Sequence, residues 1–441
     1  MIMINDFTVK NFKSIGEDGI RVELKPLTIF LGPNGSGKSS ILEALGILSQ
    51  STETTNFQTI GSLVKIPLTS DVFYKRSSEN WLTFEVHIKA NDSEINKLIE
   101  IFNNKVSDKI QIAIQNGDIV YSLSYKWKTN EFNQSVMIGN NKIAKAELIR
   151  VSESGMRWNL EFPDKSSSVP KYGADKILNE EIFKDQRPEE INIFSDIAVE
   201  IAKIMKSRLL NKVFLISAVR GNTEFEAKVD NSLFLKSLKI LGVGTSGQYL
   251  IPVLSLIYSN REYEQTYEKI NKWAAKFGLS KFSAGWKGGE ILGSGYVDDK
   301  LNTVLNLGMA SHGSKQILSV ITQLFWSDPG SIIMIEEPEI SLHPDSQAHL
   351  AELFAESISD GKQIIITTHS EFLPLTLSIP IQNGLLKTDD IAIYHVEKGE
   401  KGTVIKRLEL TSKGYVKGWI PSFAELEARL LKEWMETLSE E

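Results

Sequence analysis

Residues 32–39 read Gly32-Pro33-Asn34-Gly35-Ser36-Gly37-Lys38-Ser39, and this stretch decides the fold. It matches the phosphate-binding pattern G-x-x-x-x-G-K-[ST], and it stands between a strand-like run, LTIFL, and a helix-like run, SSILEALGILSQ. The glycines allow successive main-chain N–H groups to point at phosphate oxygens, and the start of the helix adds partial positive charge. The sequence therefore predicts a nucleotide site on an α/β sheet.

Within this loop the pattern assigns separate roles to two side chains. Lys38 can reach the β and γ phosphates of ATP, and the Ser39 hydroxyl can ligate Mg²⁺. The alternative is a chance glycine-rich turn, which the flanking strand and helix disfavour. ATP and Mg²⁺ are therefore the predicted cofactors. The predicted phosphate-binding residues are Asn34, Gly35, Ser36, Gly37, Lys38, Ser39 and Ser40.

Composition narrows the class of protein. The chain has 441 residues, of which 41% are hydrophobic and 24% charged, which is an ordinary globular balance. No apolar run approaches the roughly 18 residues of a membrane span, and the first residues do not resemble a signal peptide, so we expect a cytoplasmic protein without a membrane partner. Cysteine is absent, which excludes disulfides. The net charge of −7 is weak evidence against a dedicated DNA coat, although DNA stays a candidate partner.

Hydrophobic patterning predicts the organisation of the chain. We expect a head formed by residues 1–80 and 211–441, into which residues 81–210 insert a β subdomain and a helical segment. Alternation predicts strands over 3–9 and 20–31, and several strands between about 80 and 165, one of them the run IQIAIQ. The remaining expectations are a helix over 188–211, a helical region over about 245–277, a loop or weak hairpin over 282–300, and a closing helix over 423–438.

Paired carboxylates follow a buried-strand pattern in IIMIEEPE, residues 332–339. In an open α/β sheet, ligands bind at the carboxyl ends of the strands. One carboxylate can hold the Mg²⁺ shell, and the next can orient or deprotonate the attacking water. Acids at a strand end are often merely solvated, but their position downstream of the phosphate loop favours function. Glu336 is the predicted metal ligand and Glu337 the predicted catalytic base.

A second polar cluster ends a buried strand, at Thr367-Thr368-His369-Ser370. By the same rule it falls on the ligand edge of the sheet. His369 can there hydrogen-bond a γ-phosphate oxygen or the attacking water. A lone histidine is more often structural, but the two preceding motifs favour the catalytic interpretation.

A third polar segment, Ser311-His312-Gly313-Ser314-Lys315-Gln316, opens a helical run. Small residues at a helix start expose main-chain N–H groups, which makes this a candidate second anion site. The alternative is an ordinary N-cap by Ser311 or Ser314. The residues alone leave the two interpretations open.

These elements, in this order, resemble the ABC ATPase superfamily, and within it the RecF, structural-maintenance-of-chromosomes and OLD group. The run Asn11-Phe12-Lys13-Ser14 looks like an element that this group carries near the nucleotide, which implies nucleotide binding by Lys13. The resemblance makes Glu336–Glu337 the Walker B acids, 343–345 the D-loop and His369 the switch histidine. It also places Ser311 and Gly313 in a signature segment that contacts the γ-phosphate of an opposing head.

The sequence departs from the family pattern in two places. Glu336 stands where aspartate is usual, and ASHGSKQ stands where LSGGQ is usual. Gln58 is the candidate for the family's Gln-loop residue. The carboxylate pattern of a Toprim nuclease domain does not follow His369, so the resemblance implies an ATPase without that domain.

The resemblance implies a fold class and a function. The fold is α/β: an ABC-type P-loop ATPase head with a mixed, largely parallel sheet core, an antiparallel β subdomain and a helical insertion. The function is ATP binding and hydrolysis by a homodimer or higher oligomer that sandwiches ATP between heads. Its purpose would be DNA maintenance, DNA repair or phage defence through a separate effector protein. The alternatives are an ATP-dependent switch without fast turnover and a transporter ATPase subunit.

Overall fold

The structure is a computed structural model that describes residues 3–51, 57–102, 108–152, 155–162, 165–170, 192–221, 226–228, 232–288, 291–298, 301–370, 372–418 and 435. Its strands are β1 (Asp6–Lys10), β2 (Ile20–Glu23), β3 (Leu27–Leu31), β4 (Leu82–Lys89), β5 (Asp118–Lys126), β6 (Glu131–Ile138), β7 (Asn141–Ser152), β8 (Gly155–Phe162), β9 (Lys165–Pro170), β10 (Val213–Ile216), β11 (Glu226–Lys228), β12 (Ser280–Gly288), β13 (Ile291–Asp298), β14 (Thr303–Asn306), β15 (Ile332–Glu336), β16 (Gln363–Thr368), β17 (Ile391–Gly399) and β18 (Gly402–Leu408).

The α-helices of the described residues, in chain order, are α1 (Lys38–Ser51), α2 (Asp92–Phe102), α3 (Asp108–Asn116), α4 (Asn192–Leu209), α5 (Ser232–Leu241), α6 (Leu250–Ser259), α7 (Glu264–Lys276), α8 (His312–Trp326), α9 (Pro344–Gln347), α10 (Leu350–Ser359), α11 (Phe372–Thr376) and α12 (Ser378–Gln382). The predicted closing helix over 423–438 lies outside the described residues apart from Met435.

A largely parallel sheet forms the centre of the molecule, with the strand order β10-β15-β16-β3-β17-β18. Only the last pair, β17 with β18, is antiparallel. Strands β3 and β16 are buried along their whole length, as expected for central strands of a parallel sheet that is covered on both faces. The carboxyl ends of β3, β10, β15 and β16 therefore meet at one edge of the sheet.

Both faces of this sheet are covered. Alternate side chains of β15 point to opposite sides, so that Met334 joins a core with α1, α4 and the antiparallel sheet, and Ile335 joins a core with α6, α7, α8 and α10. The sheet thus lies between two hydrophobic cores, which fixes the edge on which the polar loops converge.

An antiparallel sheet follows the order β2-β1-β4-β5-β6-β7-β8-β9. Along β4 buried and half-buried residues alternate, as expected for a strand with one face on the core. Strand β1 pairs directly with β4, so the boundary expected at residue 80 divides one continuous sheet. The division into 1–80 with 211–441, and 81–210, stays a prediction.

A third, smaller sheet contains the described residues of the glycine-rich stretch 282–300, which are 282–288 and 291–298. Strands β12 and β13 pair antiparallel, and β11 and β14 flank β13. The predicted loop or weak hairpin is therefore a hairpin. The helical region expected over 245–277 is also confirmed, as α6 and α7, and α4 fills most of the helix expected over 188–211.

Two predicted strands are wrong. The run 20–31 is two strands, because Pro26 has no N–H to donate and the chain turns there from the antiparallel sheet into the parallel one. The run IQIAIQ lies in helix α3: Ile110 and Ile114 are buried at helical spacing, while Ile112 is 58% exposed. Alternation over so few residues did not separate a strand from a helix.

Helix α2 was not predicted, although its start carries a sequence signal. The main-chain N–H of Glu94 donates to the Asn91 side chain, and the N–H of Asn91 donates to the Glu94 carboxylate, which is a reciprocal cap. None of the helices in the described part of the chain has the length and apolarity to cross a membrane. The architecture confirms the predicted α/β fold class, with a mixed, largely parallel sheet, an antiparallel β sheet and helical insertions.

Candidate nucleotide site

The phosphate loop joins β3 to α1, as its sequence predicts. Lys38 is the first residue of α1 and is 6% exposed. Its Nζ donates hydrogen bonds to the main-chain carbonyls of Gly32, at 2.8 Å, and Pro33, at 3.0 Å. Burial lowers the pKa of Lys38 to about 8, although the carboxylates of Glu337 and Glu339 act against this shift. The ammonium is thus held inside the loop, near the predicted catalytic base Glu337 and near Glu339.

Two glycines in the loop have different surroundings. Both have positive φ, +72° at Gly35 and +106° at Gly37. A Cβ at Gly35 would meet no atom within 4 Å, whereas a Cβ at Gly37 would lie 2.1 Å from Thr403 Oγ1. Gly35 therefore lines open space, and Gly37 is pressed against β18.

The other loop residues form the walls of the site. Asn34 and Ser39 are exposed, whereas Ser36 and Ser40 are buried. The Ser36 hydroxyl has no hydrogen-bond partner among the described residues, and Ser40 Oγ lies 3.1 Å from the hydroxyl of Ser14. An orphaned buried hydroxyl beside open space fits a loop that completes its hydrogen bonds with a ligand.

Glu336 and Glu337 stand where β15 ends. Glu336 lies beside Thr367 in the sheet, and its Oε2 accepts a hydrogen bond from the main-chain N–H of Ala218 at 3.2 Å. Glu337 has φ +44°, a left-handed conformation that is strained for a residue with a side chain. The two neighbouring acids therefore leave the strand in different directions.

His369 follows β16 and meets Glu337. Its Nε2 lies 3.5 Å from Glu337 Oε1. The pKa of His369 is lowered, first by burial and then by the nearby Lys38 cation, while Glu337, Glu339 and the Gly32 main chain act in the opposite direction. The ends of β3, β15 and β16 thus bring Lys38, Glu337 and His369 together.

Lys13 has a partner other than a ligand. Its Nζ lies 2.5 Å from Glu43 Oε2 on α1. The pKa of Glu43 is raised, because burial outweighs the effect of Lys13. The side chain of Lys13, in the turn after β1, is therefore paired with helix α1, and nucleotide binding by Lys13 stays a prediction.

The segment 311–316 begins α8. Ser311 Oγ accepts a hydrogen bond from the N–H of Ser314 at 3.1 Å, so Ser311 is an N-cap. Ser311 is exposed, but Gly313 is buried, and a Cβ on it would lie 2.3 Å from the carbonyl oxygen of Ser341. Ser311 is thus an N-cap, as one of the two interpretations expected, and a role in contacting an opposing head stays a prediction for both residues.

Two other candidate residues lie away from this cluster. Gln58 accepts a hydrogen bond on its carbonyl from Gln50, near the end of α1 opposite to Lys38, and lines a cavity of about 240 Å³ beside β10. His343 caps the short helix α9 through its ring, and its side chain is 74% exposed.

Sequence reasoning missed three residues that hold the site together. Glu339 Oε1 accepts hydrogen bonds from the Thr368 hydroxyl at 2.6 Å and the His369 N–H at 3.0 Å. Thr403 donates to the carbonyl of Ser36 at 3.0 Å. Arg220, which follows β10, donates to the main chain at the end of β15. The only sequence signal for Glu339 was its place in the run EEPE. The sequence around Thr403 and Arg220 carried no comparable signal.

The residues present fit Mg·ATP, which the fold implies. Among the described residues there is no cluster of three or more histidine and acidic side chains that could hold a metal by itself. Mg²⁺ in phosphate-transfer sites is usually bound by one or two carboxylates together with waters and substrate phosphates. Glu336 and Ser39 are the residues that would supply the protein part, and Lys38 the phosphate contact.

Comparisons with known proteins give the family. The profile of the AAA ATPase domain matches residues 3–373, so the chain belongs to that family. No curated protein matches the chain.

Among solved structures, the chain is similar to SMC head domains. One, bound to the C-winged helix domain of ScpA, is 13% identical and covers 92% of this chain and 98% of its own, with a TM-score of 0.48. The SMC head domain from Thermotoga maritima is 12% identical and covers 93% and 100%, with a TM-score of 0.42. An Smc head domain with an extended coiled coil, bound to the C-terminal domain of ScpA derived from Pyrococcus furiosus, is 12% identical and covers 98% and 99%, with a TM-score of 0.46.

Proposed function

We propose that this chain binds Mg·ATP at the phosphate loop and hydrolyses it. The observation that carries the proposal is the meeting of three strand ends, which brings the buried Lys38 ammonium and the Glu337–His369 pair to one edge of the sheet. Such a site needs no covalent intermediate, because phosphoryl transfer depends mainly on positioning and charge stabilisation.

Each group has a defined part in this proposal. Lys38 leaves the carbonyls of Gly32 and Pro33 to bind the β and γ phosphates, which are stronger acceptors. Glu337 orients or deprotonates the attacking water. His369, held neutral by its lowered pKa, donates a hydrogen bond to the γ-phosphate or the water. Bound Mg²⁺ would neutralise charge on the phosphates next to Ser39 and Glu336.

We further propose that two heads associate around ATP, with segment 311–316 of each contacting the nucleotide of the other. The support is the exposed start of α8, where Ser311 and His312 face solvent. The hydrolysis cycle would then control a separate effector in DNA maintenance, DNA repair or phage defence, in the cytoplasm and with DNA as a candidate partner.

Steady-state turnover tests the function. Purified protein is incubated with Mg·ATP, with and without duplex or single-stranded DNA, and released phosphate is measured beside Lys38→Ala. Turnover that Lys38→Ala abolishes supports an ATPase. An ATP-dependent switch without fast turnover would instead show tight binding and about one phosphate per site. Phosphate release at equal rates from both proteins contradicts the proposal.

A further inference from the structure

Arg220 is a buried cation with main-chain partners. The residue is 2% exposed and lies in the loop after β10. Its Nη1 donates to the carbonyls of Ser217, at 3.0 Å, and Glu336, at 2.6 Å, and its Nη2 donates to the carbonyl of Glu337, at 2.8 Å. Its Nε donates to the carbonyl of Gln316 on α8, at 3.3 Å. One guanidinium therefore joins three segments of the chain.

Burying this charge has a cost that a neutral side chain would avoid. The cost is visible in the pKa of Arg220, which burial lowers to about 10, while the nearby carboxylates of Glu339, Glu337 and Glu336 act in the opposite direction. A guanidinium is also the side chain that offers five donors in a fixed planar fork. The need for several correctly directed donors at this point explains why an arginine stands there.

The carbonyl of Glu337 belongs to the strained residue of the site. At φ +44° this residue is in a left-handed conformation, which only a surrounding hydrogen-bond network maintains. The N–H of Glu337 donates to the carbonyl of Thr367 at 2.8 Å, and its carbonyl accepts from Arg220. Hydrogen bonds thus fix both the main-chain N–H and the main-chain carbonyl of Glu337, and its carboxylate lies next to His369.

The same arginine contacts the start of α8. Gln316 Nε2 donates to the carbonyl of Arg220 at 3.3 Å and lies 3.0 Å from Nε2 of the exposed His312. Gly221 packs so closely on this helix that a Cβ there would lie 2.7 Å from the Gln316 side chain. A continuous set of contacts therefore leads from the exposed first turn of α8, through Gln316 and Arg220, to Glu337.

We propose that Arg220 is a positioning residue, which holds Glu337 in its left-handed conformation and couples the first turn of α8 to it. This inference rests on the proposed ATPase function, because it assigns the geometry of the proposed base to a residue outside the phosphate loop. A group that binds the exposed turn of α8 would then affect catalysis through the main chain of Glu337, without touching its carboxylate.

The test compares Arg220→Ala and Arg220→Lys with a matched control. Arg208→Lys changes another buried arginine, whose Nη2 is paired with Glu94 on α2 at 2.8 Å, away from the site. We expect kcat to fall about 100-fold in both Arg220 variants, as for other misplaced catalytic groups, while the Kd for ATP changes less than threefold. Arg208→Lys should keep the wild-type kcat.

Two further measurements separate positioning from general support of the fold. Millimolar guanidinium should restore part of kcat in Arg220→Ala, since the free cation can occupy the vacated donor position, and should leave the wild-type kcat of Arg208→Lys unchanged. A crystal structure of Arg220→Lys should show Glu337 with negative φ, a readout that does not depend on turnover.

The outcomes that overturn the inference are distinct from failure of the proposed function. Arg220 variants that turn over ATP at the wild-type rate, or that keep Glu337 at positive φ, refute the positioning role while the ATPase stands. A loss of ATP binding equal to the loss of kcat, without guanidinium rescue, refutes it in favour of structural support. A wild-type protein without turnover refutes the ATPase itself, and the φ of Glu337 still decides whether Arg220 holds that residue.

Discussion

Nε2 of His369 lies 3.5 Å from Oε1 of Glu337, although the two residues end different strands. The contact forms because β15 and β16 are parallel neighbours whose carboxyl ends are level, Glu336 opposite Thr367. The base and the histidine of the proposed mechanism are therefore one unit, and a change in either alters the charge that the other experiences.

Nucleotide binding should depend on Lys38. We expect Lys38→Ala to weaken ATP binding by about 1.5–3 kcal/mol, or roughly 10- to 150-fold, the value of hydrogen bonds to charged groups. Hydrolysis should fall to background. Calorimetry and phosphate release measure the two effects. The control is Lys272→Ala, which removes an exposed lysine that pairs with Glu356. Normal turnover by Lys38→Ala would show that the phosphate loop is wrongly assigned.

Activity should have an alkaline limit set by Lys38. Its pKa of about 8 means that the free protein loses this cation as pH rises through 8. We therefore expect kcat/KM, which reports the free enzyme, to fall above pH 8. Bound phosphates favour the charged form, so kcat should fall only at higher pH. The pH profiles of kcat/KM and kcat test this expectation. A fall of both constants at the same alkaline pH would contradict it.

The acid limit should belong to His369. Its pKa lies below its ordinary value of 6.5, chiefly because the half-buried ring is partly removed from water. The neutral form therefore persists in the free protein as the pH drops through 6.5, and we expect kcat/KM to decline only at a lower pH. In His369→Gln the decline should change shape, because the titrating ring is gone. An unchanged acid limb in this variant would assign the limit to another group.

ATP-dependent assembly should accumulate in Glu337→Gln. This variant keeps ATP because it lacks the proposed base, so heads that associate around ATP should stay together. Light scattering with and without ATP measures the mass. An unchanged mass would refute the shared site.

The structure identifies Ser311 as the better position to block this assembly. It is exposed, whereas a side chain at Gly313 would collide with Ser341 of the same head. In the Glu337→Gln background we expect Ser311→Tyr to prevent association. Ser311→Ala loses the cap, at about 1 kcal/mol, but leaves the space free, and should still associate. Equal behaviour of the two variants would argue against a contact at this turn.

The two loop glycines offer a matched pair. Gly37→Ala places a Cβ 2.1 Å from Thr403 Oγ1, whereas Gly35→Ala meets no atom within 4 Å and carries only the strain of positive φ. We expect Gly37→Ala to lower both the melting temperature and ATP affinity, and Gly35→Ala to lower the melting temperature by less. Thermal unfolding with and without Mg·ATP provides the measurement. A larger drop in melting temperature for Gly35→Ala than for Gly37→Ala would mean that β18 moves to make room for the added methyl group.

The sequence predicted what depends on local pattern. The phosphate loop, the buried strands and the acids and histidine at their ends all follow from runs of adjacent residues. Contacts between distant segments had no such signal: Arg220 and Glu336 are 116 positions apart, and Thr403 and Ser36 are 367 apart. The short run IQIAIQ failed for another reason, because Ile110 and Ile114 fit a helix and alternation fits a strand.

The contact between Thr403 and Ser36 also has a consequence in time. The phosphate loop leaves the ribosome early. Strand β18, which packs against Gly37 and whose Thr403 donates to the Ser36 carbonyl, is made 367 residues later. At a synthesis rate of about 5–20 residues per second, this delay is roughly 20–70 s. During that interval the nascent chain carries the phosphate-binding motif without the wall that shapes it. Nucleotide can be captured in the finished geometry only when synthesis has passed β18.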